Sequence, residues 1–119
     1  MPAYDSKELK VWQKSVSFVQ TVYELTKSFP VEEKFGIVSQ LRRSAISIAV
    51  DIAEGSGRST DKDFPNFLSI AYGSSLEVET LLLQSNNFGY VSGKHFLETT
   101  NQLSEILRML NGFSASLKS

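Results

Sequence analysis

The chain has 119 residues, 41% hydrophobic and 21% charged, with a net charge of −1 and no cysteine. That is the length of one domain, and the balance excludes an intrinsically disordered chain and a surface that is basic throughout. Disulfides, thiolate nucleophiles and Cys-ligated zinc are excluded outright. No charged-then-apolar leader opens the chain, and no apolar run approaches the roughly 20 residues a bilayer span needs. The expectation is a cytoplasmic protein with no membrane contact.

Met1 to Tyr4 reads as a frayed lead. Asp5 and Glu8 have capping-box spacing, and a first helix is predicted from there to about Lys27. Leu9, Trp12, Val16, Val19 and Tyr23 recur at three and four residues and are read as its inward stripe, flanked by Val11, Phe18, Val22 and Leu25. Pro30 stops it, because proline disfavours helix in the residue before it. Val31 to Phe35 reads as a turn or a short helical start.

A central helix follows to about Glu54. Leu41, Ala45, Ile48 and Ile52 share one face, and Ile46, Ala49, Val50 and Ala53 widen it until the helix is apolar almost all round. Gly55 is read as its left-handed C-terminal residue. The third helix starts between Thr60 and Asp63, with Thr60 or Asp61 as cap and Pro65 tolerated in the first turn. Phe64, Leu68, Ala71, Ser75, Val78 and Leu82 form its inward stripe. Ala71, Gly73, Ser74 and Ser75 make a patch of small side chains where another helix can come close. It ends near Asn86 and Asn87, with Gly89 just beyond.

Ser92 caps a fourth helix, about Gly93 to Phe113, lined inside by Phe96, Leu103, Ile106, Leu110 and Phe113; Ser114 to Ser119 should fray. No stretch alternates with period two, so no strand is predicted. Four helices of some 20 residues joined by short loops predict an all-α, single-domain, up-down-up-down bundle. The central helix is more apolar than a monomeric bundle requires, so a second subunit is expected to cover the surplus.

Gln40, Arg43, Ser47, Asp51 and Glu54 form a polar stripe roughly opposite the central helix's apolar face. Asp51 and Glu54 sit near a helix C-terminus, where the dipole opposes negative charge. Arg43, Arg58 or a neighbouring subunit can compensate. The stripe fits a structural ion-pair network at an interface, a binding or catalytic carboxylate pair, or a solvated face. Glu77 either meets Arg42 or Arg43 across the helix pair or is solvated. Gly55 to Thr60 has the look of an anion cradle, yet lacks the GxxxxGK[ST] pattern and joins two helices, so a plain connector also explains it. Arg42, Arg43 and Arg58 are the candidate contacts to an anion or a nucleic acid. His95 is the only histidine and reads as a surface residue. One histidine without cysteine makes none of the usual zinc sites, and paired Glu-x-x-His motifs are absent, so no metal or other cofactor is expected. Trp12 and Tyr23 read as core residues rather than a stacking platform.

Leu9-Lys10-Val11-Trp12-Gln13, Val22-Tyr23 with Phe29-Pro30, Gln40 to Ala45, Ile52-Ala53-Glu54-Gly55 and Ile70 to Glu77 together resemble the small four-helix-bundle proteins associated with intervening sequences in bacterial 23S ribosomal RNA genes. The likeness covers nearly the whole chain in order. Asp51 departs from the family's usual Asn before Ile-Ala-Glu-Gly. The resemblance implies a left-handed bundle, a ring-like homopentamer and no established catalytic activity. Relatives include the strongly basic accessory protein of diversity-generating retroelements, which works with a reverse transcriptase and nucleic acid. The expected function is therefore a non-enzymatic oligomeric interaction module, with a nucleic-acid-associated accessory protein as the alternative.

Overall fold

In the computed structural model, which describes residues 4–58 and 62–118, every regular element is a helix. The four long helices are α1 (Lys10–Thr26), α2 (Ile37–Ser56), α3 (Asp63–Asn87) and α4 (Gly93–Lys118). Single 3-10 turns at Ser6–Glu8 and Val31–Glu33 precede α1 and α2. Helix α1 packs on α2 and α4, and α3 packs on α2 and α4, so the helices close a cycle around one core. The molecule measures 46 × 23 × 20 Å, and none of its helices, over the described residues, is long and apolar enough to cross a membrane.

The core is built from Phe18 and Val22 of α1, Leu41, Ile48 and Ile52 of α2, Phe64, Leu68 and Leu82 of α3, and Leu103, Ile106 and Leu110 of α4. The expected stripe of α3 is buried in full. On α4, Leu103, Ile106 and Leu110 are buried, while Phe96 and Phe113 pack against the core from its edge.

Helix α1 differs from its expectation. The buried positions are Val11, Ser15, Phe18, Val22 and Thr26, and Val16 of the expected stripe is 42% exposed. Two apolar stripes of equal period lie on this helix. The inward one includes two hydroxyls, which are buried without penalty because each bonds a carbonyl one turn back: Ser15 Oγ donates to Val11 O (2.7 Å) and Thr26 Oγ1 to Val22 O (2.8 Å). Leu9, Trp12 and Val19 only edge the core.

The helix ends also move. Asp5 caps the 3-10 turn, accepting from the Lys7 amide (3.1 Å), and α1 begins after it at Lys10. Tyr4 is part of the fold rather than frayed: its ring lies 5.2 Å from Phe64 and 5.7 Å from Phe113. Those contacts help hold the last turns of α4, which run on to Lys118 instead of fraying after Phe113.

Helix α2 continues past Glu54 through Ser56. Gly55 is not left-handed; among the described residues, Gly89 alone has positive φ, at 79°. Gly55 is required for a different reason. A Cβ there would lie 2.6 Å from Phe67 Cβ and 2.8 Å from Phe64 Cδ1, so its absence lets α3 begin against the end of α2. The caps expected at Thr60 and Asp61 fall outside the described residues. At α4 the cap is as expected: the His95 amide donates to Ser92 Oγ (3.2 Å).

Candidate functional site

The polar stripe of α2 meets α3 at Ser47, and its members have different surroundings. Ser47 is where the two helices touch through small side chains. Its hydroxyl donates to Asp51 Oδ2 (3.0 Å) and lies 3.1 Å from Ser74 Oγ of α3. With the Ser47 proton on Asp51, the Ser74 hydroxyl supplies the proton between the two serines. Ser74 belongs to the small patch noted in the sequence.

Asp51 is half-buried and makes no ion pair with any described residue. Burial pushes its carboxyl above the ordinary 3.8 and the neighbouring Glu54 adds to the rise, while the Ser47 hydrogen bond opposes it. Glu54 is engaged elsewhere, 3.9 Å from the Arg58 guanidinium one turn on. Both of those side chains are about half exposed, so the pair contributes little, about 0.5 kcal/mol or less.

Arg58 also lies 4.5 Å from the centre of the Phe67 ring, which fastens the exit of α2 to the start of α3. The anion cradle suggested by the glycines does not form in the described part of this connector. Gly55 and Ser56 are helical, the Gly57 amide donates to Ala53 O and Glu54 O, and the Arg58 amide donates to Gly55 O. Those donors are consumed by the helix end rather than turned outward.

Arg42 and Arg43, adjacent in sequence, point apart. Arg42 turns to α1: its Nε donates to Thr26 Oγ1 (2.9 Å), Nη2 donates to Tyr23 O (3.5 Å), and the guanidinium sits 4.3 Å over the Tyr23 ring. It is thus held by α1 and not by Glu77. Arg43 and Gln40 are exposed, and neither Arg43 nor Glu77 forms an ion pair among the described residues. The partners Thr26 and Tyr23 escaped the sequence reading because i, i+4 reasoning on α2 says nothing about which side chain of α1 lies opposite.

The seam between α1 and α4 was not anticipated. Thr21 Oγ1 donates to Gln102 Oε1 (3.0 Å) and Lys14 pairs with Glu105 (3.3 Å) across it. A cleft of about 620 Å³ opens beside these contacts, with Glu24 and Gln20 on one wall and Glu98, Gln102 and His95 on the other. Its signal in the sequence is polar spacing of four on each helix, indistinguishable there from a solvated face.

Three comparisons bear on these features. The sequence model of the 23S rRNA-intervening sequence protein family matches residues 7–112. No curated protein matches. Among solved structures, a protein of unknown function from the S23 ribosomal protein family from Bacteroides thetaiotaomicron VPI-5482 superposes with a TM-score of 0.81 at 28% identity, covering 87% of this chain and 97% of its own.

Proposed function

The chain belongs to the 23S rRNA-intervening sequence protein family, and from that premise we propose that it is a cytoplasmic, non-enzymatic interaction module that works as a closed homo-oligomer. Each subunit is read as an up-down-up-down, left-handed bundle. The observation that carries the assembly is the outer side of α2. Ile46 and Val50, one turn apart, are 38% and 45% exposed on the helix whose other side is the centre of the core. Exposed Val16 lies on α1, beside half-buried Trp12 and Val19. A second apolar set, Leu76 and Leu83 of α3 with Leu97 of α4, is also exposed.

The two sets are carried by different helices, α1 and α2 against α3 and α4. A contact between unlike surfaces of the same chain is head-to-tail, and when its rotation closes the product is a ring. The family likeness favours five copies. The reading is tested with Ile46→Asp and Val50→Asp. Light scattering on the wild type should give a mass near five times the 13.3 kDa chain. Either variant should lower it to that of a folded monomer, because a buried unpaired carboxylate is heavily penalised. A wild-type monomer at micromolar concentration would falsify the proposal.

The nucleic-acid reading rests on Arg43. Of the three candidate arginines it is the one with no partner among the described residues, whereas Arg42 is bound to α1 and Arg58 is engaged by Glu54 and Phe67.

A further inference from the structure

The cleft between α1 and α4 has a composition that selects a ligand class. Its volume of about 620 Å³ is within the range of small-molecule sites. Among the described residues, neither lysine nor arginine lines it. A carboxylate stands on each wall, Glu24 on α1 and Glu98 on α4, each with a glutamine four residues away at Gln20 and Gln102. Half-buried Leu25 and buried Val91 give the lining its aliphatic surface, alongside the hydroxyls of Thr21, Ser28 and buried Thr99.

Glu98 forms no ion pair among the described residues. Glu24 is paired with Lys27 (2.9 Å), but both side chains are about two-thirds exposed or more, so an incoming ammonium group can replace that lysine at little loss. Carboxylates on facing walls, further side-chain oxygen acceptors and an aliphatic patch match a chain of methylenes punctuated by ammonium groups. We infer that this cleft binds a linear aliphatic polyamine, its end ammonium groups on Glu24 and Glu98 and its methylenes over Leu25 and Val91. The inference does not depend on the ring, since none of these residues belongs to either exposed apolar set.

His95 lies in the same cleft and is the chain's only histidine, which makes its ring resonances a local reporter. The experiment is an NMR titration of the full chain with spermidine at low salt. A flexible ligand of about ten non-hydrogen atoms on an open cleft is expected to bind with a dissociation constant on the order of 1 mM. The expected result is saturable shifts of His95 and of the facing turns of α1 and α4. Glu98→Gln and Glu24→Gln should each weaken binding about threefold. Glu8→Gln, an exposed acid outside the cleft, should leave it unchanged, and light scattering should show the same mass for all three variants. The inference is overturned by an absence of shifts up to about 10 mM, or by Glu8→Gln weakening binding as much as Glu98→Gln, which is the behaviour of a diffuse counterion.

Discussion

Asp51 and Gly55, one turn apart on α2, are held under opposite constraints. Asp51 is a carboxylate whose charge the fold disfavours relative to the unfolded chain. Its carboxyl is raised in the folded state, so the unfolded chain gives up its proton first as pH rises past 3.8, and the native state loses stability from there upward through the raised value. Asp51→Asn keeps an acceptor for Ser47 and removes the charge. The variant should melt above the wild type at neutral pH, with the gap closing as pH falls toward 3.8 in thermal unfolding followed by circular dichroism. Gly55 is a matter of space. Gly55→Ala would gain about 1 kcal/mol of helix propensity but drive a Cβ into Phe67 Cβ and the Phe64 ring. Phe67 Cβ is fixed to its backbone and cannot swing away, so overpacking wins and the net loss should be about 1–2 kcal/mol. Gly73, with nothing within 4 Å of its would-be Cβ, provides the contrast. Gly73→Ala should stabilise by about 0.5–1 kcal/mol, read from urea unfolding of both variants.

Between elements, Arg42 ties α2 to the last turn of α1. Its side chain bonds Thr26, whose own hydroxyl proton is given to Val22 O, and covers the Tyr23 ring. Removing it strips the buried Thr26 hydroxyl of one donor and the Tyr23 ring of its cation. Arg42→Ala should therefore destabilise by about 1–2 kcal/mol, measured by urea unfolding. Arg42→Lys should recover only part of that, since an ammonium lacks the planar donor fork that reaches hydroxyl and carbonyl together. The other end of α2 is joined to α3 by the missing Cβ of Gly55 and by Arg58 on Phe67, so a helix that looks merely apolar in sequence is fastened by different means at each end.

For the whole molecule, the charge is nearly balanced, and two of the three candidate arginines, Arg42 and Arg58, are engaged within the subunit. Counterion release scales with the number of phosphates a protein neutralises. Of the three candidate arginines Arg43 remains, so this set supplies about one such contact per subunit. Fluorescence anisotropy with a structured RNA and a duplex DNA should give flat titrations at both about 50 mM and about 200 mM salt. Tight binding at the lower salt that collapses at the higher, and is lost in Arg43→Ala, would move the reading to a nucleic-acid accessory protein.

The four helices, the absence of strands among the described residues, the family and the inward face of α3 were legible in the chain alone, because a 3.6-residue period, prolines and caps are local signals. On α1 the same period supported two faces. Serine and threonine at Ser15 and Thr26 made the true one look polar, and only packing against the other three helices selected Val11, Phe18 and Val22. The separation of Arg42 from Arg43, the role of Gly55 and the cleft of Glu24 and Glu98 likewise depend on what a second helix places opposite. A helical period says which residues share a face; which face turns inward, and what it meets there, is decided by the volume and polarity of its neighbours in space.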